Sequence, residues 1–111
     1  EKAVRKEGIS KASIYAAEVP LRVMNVAFRA MEGLKYMVDN GNPNSITDAG
    51  VGSLCVMAAI EGAGMNVKVN GKDLTDRQRA IQLQTEADDI LSKARAAHDQ
   101  IIQIVNEALE Y

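Results

Sequence analysis

Two carboxylates and a group of amide and basic side chains are the residues here whose types and spacing could do chemistry. Glu61 lies seven residues after Leu54, three after Ala58 and four before Met65, so on a helix it shares their apolar face. A carboxylate held among apolar groups is expected to have its pKa raised by desolvation, which suits a general acid near neutral pH. The same carboxylate at a helix edge would instead pair with a Lys or Arg from elsewhere. Asn66 and Asn70 are four apart, on one side of a helix end. Amides are costly to bury without partners, so this pair either bonds a neighbouring backbone or faces a polar ligand. Lys68 and Lys72, with Arg77 and Arg79 beyond a turn, form a basic rim that is solvated or receives an anionic ligand tail. Glu18 and Arg22, one helical turn apart, are expected to pair with each other, and Asp88 and Asp89 to be solvated.

Other chemistries find little support. His98 is the only histidine and Cys55 the only cysteine, so the chain offers no zinc-type ligand set and no internal disulfide. Cys55 is expected as a buried small hydrophobe and His98 in a partly buried structural role. No Ser-His-Asp or Cys-His arrangement follows from the spacing. Gly62-Ala63-Gly64 falls inside a helical pattern rather than after a strand, so it is no phosphate loop.

Three helices must position these groups. The first is expected over about residues 2–39, with Ala12, Ala16, Val19, Val23, Val26, Ala30, Leu34 and Met37 on one core face. Pro20 lacks the N–H that would bond the carbonyl of Ala16, which predicts a kink or break near Glu18-Val19. Asn40-Gly41-Asn42-Pro43-Asn44 is a dense turn signal. Ser45 then reads as the cap of a second helix, accepting from the backbone N–H of Asp48, whose own carboxylate favours the positive helix end. That second helix, about residues 46–69, has no polar face from Ala49 to Ile60 and so is expected to be buried all round. Gly52, Cys55, Ala59, Gly62, Ala63 and Asn66 give it a strip of small side chains. Asn70-Gly71 closes it, and Asp73 or Thr75 begins a third helix of about 35 residues, roughly 50 Å long. There Leu83, Ala87, Ile90, Ala94, Ala97, Ile101, Ile104 and Ala108 alternate spacings of four and three, a heptad seam. The fold class is all-α, a long-helix bundle with a buried central helix. Two long neighbours are too few to shield a wholly apolar helix, so the bundle is expected to be dimeric or to pack against further chain.

Composition narrows the partners. Thirteen Lys+Arg against fifteen Asp+Glu, with aromatics at 4%, leave no basic excess and no stacking platform for nucleic acid. The longest uninterrupted apolar run, Leu54–Ile60, is short of the roughly 20 residues of a membrane span, so no membrane association is expected. A single cysteine suits a reducing compartment, and the expected location is cytoplasmic. The first residues, Glu1-Lys2-Ala3-Val4-Arg5, already read as helix rather than as a signal peptide. The chain is therefore expected to begin inside a larger protein or to have lost its N-terminus.

Several motifs recur in a known order. Val19-Pro20-Leu21 precedes Gly41-Asn42-Pro43-Asn44-Ser45-Ile46-Thr47-Asp48-Ala49-Gly50-Val51. Gly62-Ala63, then Asn66-Val67-Lys68-Val69-Asn70 and Lys72-Asp73-Leu74, follow. Over residues 12–76 the chain resembles the cyclodeaminase/cyclohydrolase family, which includes the C-terminal domain of formiminotransferase-cyclodeaminase and stand-alone relatives. The resemblance implies an all-helical fold dimerising through packed helices, with residues 1–111 as the C-terminal part of one domain whose N-terminal half is absent. It implies metal-independent chemistry on a one-carbon unit carried by tetrahydrofolate, the folate derivative being substrate. In one version 5-formiminotetrahydrofolate loses ammonia to give 5,10-methenyltetrahydrofolate; in another the methenyl bridge is hydrolysed to the 10-formyl form. A proton-shuttling carboxylate facing an amidinium-like cation is the useful group in both. Glu61 and Asp48 are the catalytic candidates, and Asn44, Asn66, Lys68 and Asn70 the ligand-binding ones. The family's glycine-rich segment and its proposed catalytic acidic residue belong to the N-terminal half. That makes Asn44, Asp48, Asn66 and Asn70 the wall or scaffold of the pocket, and Asp48 a helix cap, on the alternative reading. The rival function is a non-catalytic helical oligomerisation module.

Overall fold

A computed structural model describes residues 1–110, as three long helices packed side by side in a rod of 69 × 17 × 17 Å. Helix α1 spans Lys2–Asn40, α2 spans Ile46–Lys72 and α3 spans Arg77–Leu109, with no strand among the described residues. The all-α bundle expected from the sequence is the fold observed.

Local chemistry explains the ends. The N–H of Gly41 donates to the carbonyl of Met37 at 2.7 Å, closing α1. The Asn42 side chain then accepts from the N–H of Asn44 at 2.9 Å and starts a short 3-10 turn, Pro43–Ser45, that leads into α2. Ser45, expected to cap α2 by accepting from the N–H of Asp48, makes no capping bond with its side chain. Helix α2 also runs past its predicted stop, through Gly71 to Lys72. Arg77 makes this possible: its Nη1 donates to the carbonyls of Lys72 at 2.8 Å and Leu74 at 3.1 Å, satisfying groups that a helix end leaves bare. Helix α3 begins later than predicted, with Asp76 accepting from the N–H of Arg79 at 3.0 Å as its cap.

The core lies along the shared axis of the three helices. From α1 it takes Ala17, Leu21, Met24, Met31 and Val38; from α3, Leu83, Ala87, Ile90, Ala94 and Ile101. The predicted seam of α3 is therefore used inside the chain, with Ala97 and Ile104 partly buried and Ala108 exposed. The predicted core face of α1 is not the one used. Ala12, Ala16, Val19, Val23, Val26 and Ala30 all point outward, with Val23 47% and Val26 63% exposed; only Leu34 of that set packs against the core. Helix α1 carries two apolar stripes, and the stripe with Leu, Met and Phe side chains fills the space that Ala and Val would leave void.

Helix α2 likewise departs from expectation. One stripe, including Ala49, Ser53, Met57, Ile60 and Val67, is buried. The opposite side is not, with Leu54 55% and Met65 68% exposed, and Cys55, expected to be buried, is exposed as well. The segment Pro43–Lys72 is long and apolar enough to cross a membrane by length and composition. Packing against α1 and α3 accounts for the apolarity of its buried stripe.

Close approach of α2 to α3 depends on glycine. A Cβ at Gly50 would stand 2.8 Å from Cγ2 of Val105, a stiff β-branched side chain. Overpacking of this kind costs about 1–3 kcal/mol, against a helix-propensity gain of about 1 kcal/mol for Gly→Ala. Gly50→Ala is expected to lower the melting temperature, whereas in a Val105→Ala background the same change is expected to raise it. Thermal unfolding followed by circular dichroism reads that reversal of sign.

Candidate functional site

Pro20 and Asn70 meet at the centre of the candidate site. The ring nitrogen of Pro20 cannot bond the carbonyl of Ala16, yet α1 continues unbroken through this position instead of breaking. Asn70 supplies the missing donor, its Nδ2 reaching the carbonyl oxygen of Ala16 at 3.0 Å. The two sequence features, a proline inside a helix and an amide on the next one, are thus halves of one contact.

Beside this bond the two helices leave a groove of about 370 Å³, lined by Val19, Pro20, Val23, Ala59, Ala63, Asn66 and Asn70. Small side chains at 59 and 63 keep α2 from filling it. The lining carries no charged side chain, and its two polar side chains are the asparagines. Such a surface suits a flat, largely apolar ligand that presents a few hydrogen-bonding groups.

The remaining candidates divide between two sides of α2. Asp48 lies in the first turn of α2, exposed, and Asn44 sits in the preceding 3-10 turn. Asp48, Gly52, Cys55, Ala59, Gly62 and Asn66 follow spacings of four and three, so Asp48 shares the groove-side stripe with Asn66. Eighteen residues separate the two, roughly 27 Å along the axis at 1.5 Å per residue. One chain therefore does not bring Asn44 and Asp48 together with Asn66 and Asn70.

Glu61 and Lys68 face α3 instead. The Glu61 carboxylate pairs with Arg95, Nη2 at 2.8 Å and Nε at 2.9 Å, and its side chain is 41% exposed. The apolar pocket expected around it is missing because its neighbours Leu54, Ala58 and Met65 lie on the outer surface. Lys68 pairs with Asp88 at 2.8 Å, so Asp88 has a partner. Most of the basic rim is similarly engaged: Arg79 binds Glu18 at 2.9 Å, and Arg77 caps α2. Glu18 thus pairs with Arg79 and not with Arg22, whose guanidinium lies 5.5 Å from the ring centroid of Tyr15. His98 is half-buried on α3, its Nδ1 enclosed and without a hydrogen-bond partner. Among the described residues no three His, Cys, Asp or Glu side chains gather as metal ligands would. Val19, Pro20 and Val23 are the lining residues that sequence reasoning did not assign to a site. The signal was the outward stripe of α1, taken for core.

Residues 1–89 match the model of the family described as Formiminotransferase-cyclodeaminase. The chain belongs to this family. It is 35% identical over 105 residues to a protein of Methylorubrum extorquens named methenyltetrahydrofolate cyclohydrolase, an alignment covering 95% of the chain and 50% of that protein. It is 30% identical over 106 residues to the formimidoyltransferase-cyclodeaminase of Dictyostelium discoideum, covering 96% of the chain and 20% of that protein. The chain thus spans half the length of the first relative and a fifth of the second. Within the family-matched region lie Pro20, the groove and every candidate site residue.

The Pro20–Asn70 contact makes a sharp expectation. Asn70→Ala is expected to cost about 1 kcal/mol, the net worth of a typical hydrogen bond. In a Pro20→Ala background the restored backbone N–H bonds Ala16 itself, and the same change is expected to cost only a few tenths. Urea denaturation of the four proteins of this double-mutant cycle measures the coupling; strictly additive effects would contradict the contact.

Proposed function

We propose that this chain contributes the folate-binding wall of a one-carbon enzyme, acting on a tetrahydrofolate derivative as a cyclodeaminase or a cyclohydrolase. The observation that carries the reading is an uncharged groove lined by Asn66 and Asn70, lying inside the region matched to the family. The names of the two relatives, one a cyclohydrolase and one a cyclodeaminase, support the substrate class.

Both reactions place a carbon between two nitrogens and pass through a tetrahedral centre there. Ammonia loss requires a proton on the departing nitrogen; hydrolysis requires one taken from the attacking water. A single carboxylate can serve either need. In this reading Asn66 and Asn70 hold the polar edge of the ligand, while Val19, Val23 and Ala59 cover its flat face. Asn70 is both wall and structural strut, so Asn66 is the cleaner probe of binding. Asp48 is favoured over Glu61 as the proton carrier, because Glu61 is occupied by Arg95 on the side away from the groove. Standing roughly 27 Å along α2 from Asn66, Asp48 serves only in a site completed by chain beyond this single bundle. Asn44, one turn before Asp48, belongs to the same end, and Lys68 is held by Asp88 outside the groove.

A second reading, a helical assembly module without catalysis, draws on the outward apolar stripe of α1. Absorbance of the methenyl chromophore, followed with both substrates, separates the two. The enzyme reading expects turnover of one substrate, a KM raised about tenfold by Asn66→Ala (a loss of about 1.4 kcal/mol of binding) and a kcat lowered about a hundredfold by Asp48→Asn. Glu61→Gln is expected to change neither by more than about twofold, the small effect of an exposed ion pair. A fully helical protein that turns over neither substrate and gains no thermal stability from saturating folate would favour the module.

A further inference from the structure

Arg22 is left without a counter-ion. Its expected partner, Glu18, binds Arg79 at 2.9 Å, and no other carboxylate pairs with Arg22 among the described residues. The Arg79 bond also balances the charge of Glu18, the carboxylate one turn before Arg22, so it no longer repels an anion brought to this surface. The Arg22 guanidinium rests 5.5 Å from the centroid of the Tyr15 ring. A ring takes the face of a guanidinium, steadies it and leaves its N–H edges free. Arg22 is thus a held donor on the outer surface of α1 with no acceptor of its own.

The groove leads to it. A second, shallow trough of about 410 Å³ is lined by Val19, Arg22, Val23, Val26, Ala27 and Ala30, and it shares Val19 and Val23 with the groove that holds Asn66 and Asn70. The other side chains of the trough are apolar, so Arg22 is its one hydrogen-bonding side chain. From Val19 to Arg22 is about 60° round α1 and roughly 4.5 Å along it, at 100° and 1.5 Å per residue. A ligand that reaches from the asparagines to Arg22 crosses about the width of one helix, roughly 10–12 Å with its side chains. A tetrahydrofolate derivative has its parts in the matching order. It carries a flat pterin with a polar edge, then an aromatic benzoyl spacer, then a glutamyl end whose two carboxylates are ionised at neutral pH. The groove itself offers that end no cation.

We propose that Arg22 receives a glutamyl carboxylate of the ligand, and so selects the anionic folate over a neutral pterin compound of the same shape. The assignment rests on the folate reading given above. Asn66 and Asn70 then hold the pterin edge, the spacer crosses Val19 and Val23, and Arg22 anchors the far end. Its role is binding, with no part in the proton transfers.

The test pairs a residue with the ligand group it should meet. The intact chain is titrated with 5,10-methenyltetrahydrofolate and with its diamide, in which both glutamyl carboxylates are amides, and Kd is read from the Asn66 side-chain amide shift. The wild-type chain is expected to bind the diamide about fivefold more weakly, the upper range for an exposed ion pair. Arg22→Gln is expected to raise the Kd for the folate about fivefold and to leave that for the diamide unchanged. Arg29→Gln removes the same charge from the same helix outside the trough, and is expected to change neither. An Arg22→Gln effect on the folate below about twofold, equal on both ligands, or matched by Arg29→Gln would overturn the assignment and leave the folate reading standing. A wild-type chain whose Asn66 amide responds to neither ligand would overturn both.

Discussion

A proline and an asparagine, fifty residues apart in sequence, govern how the first two helices meet. Pro20 frees the carbonyl of Ala16 from its own helix, and Asn70 takes that carbonyl from α2. A proline in a helix interior ordinarily costs about 3 kcal/mol. Here Ala17 and Leu21 on either side of it are buried, and the orphaned acceptor is bonded, so part of that cost is offset. The contact fixes the sliding register of α1 on α2, and the same register seats Gly64 against Met24 and Gly52 against Leu34. The groove exists where it does because one wall carries Pro20 and the other carries alanine.

Charge is organised around that groove rather than within it. Glu61 with Arg95, Lys68 with Asp88 and Glu18 with Arg79 each tie α3 to one of the other helices. Partly exposed pairs of this kind contribute little to stability. Their consequence is positional, since they hold Glu61 and Lys68 on the α3 side and leave the groove lining to apolar groups and two amides. A neutral cleft of that composition discriminates by shape and by hydrogen bonding, which is how a planar heterocycle is distinguished from a merely greasy solute. Asp48, on the same stripe of α2 as Asn66, is not drawn toward α3, but it stands roughly 27 Å along the helix from Asn66.

Much of this was legible in the sequence. The three helices, the turn at Asn40–Asn44 and the seam of α3 followed from periodicity and turn chemistry, because long regular patterns with polar exteriors admit one solution. The motif runs around Asn44–Val51 and Asn66–Asn70 pointed to the family. The core face of α1 was not legible, since two apolar stripes satisfy the same 3.6-residue period and only side-chain volume chooses between them. The all-round apolarity of α2 was misleading for a related reason: composition states that a surface avoids water, not which neighbour covers it. Glu61 was misplaced because its apolar neighbours proved to be surface residues. The end of α2 was set by Arg77, six residues beyond Gly71, a partner that local signals at Asn70-Gly71 cannot reveal.

The central claim, that the cleft beside the Pro20–Asn70 contact receives the folate, is most directly tested by nuclear magnetic resonance. A ¹⁵N-labelled chain titrated with 5,10-methenyltetrahydrofolate should show saturable shifts in the Asn66 side-chain amide and in the backbone amides of Val23 and Ala59. The amides of Lys68 and Arg95, on the far side of α2, should stay still. Shifts centred on Lys68 and Arg95 with Asn66 unmoved would contradict the account.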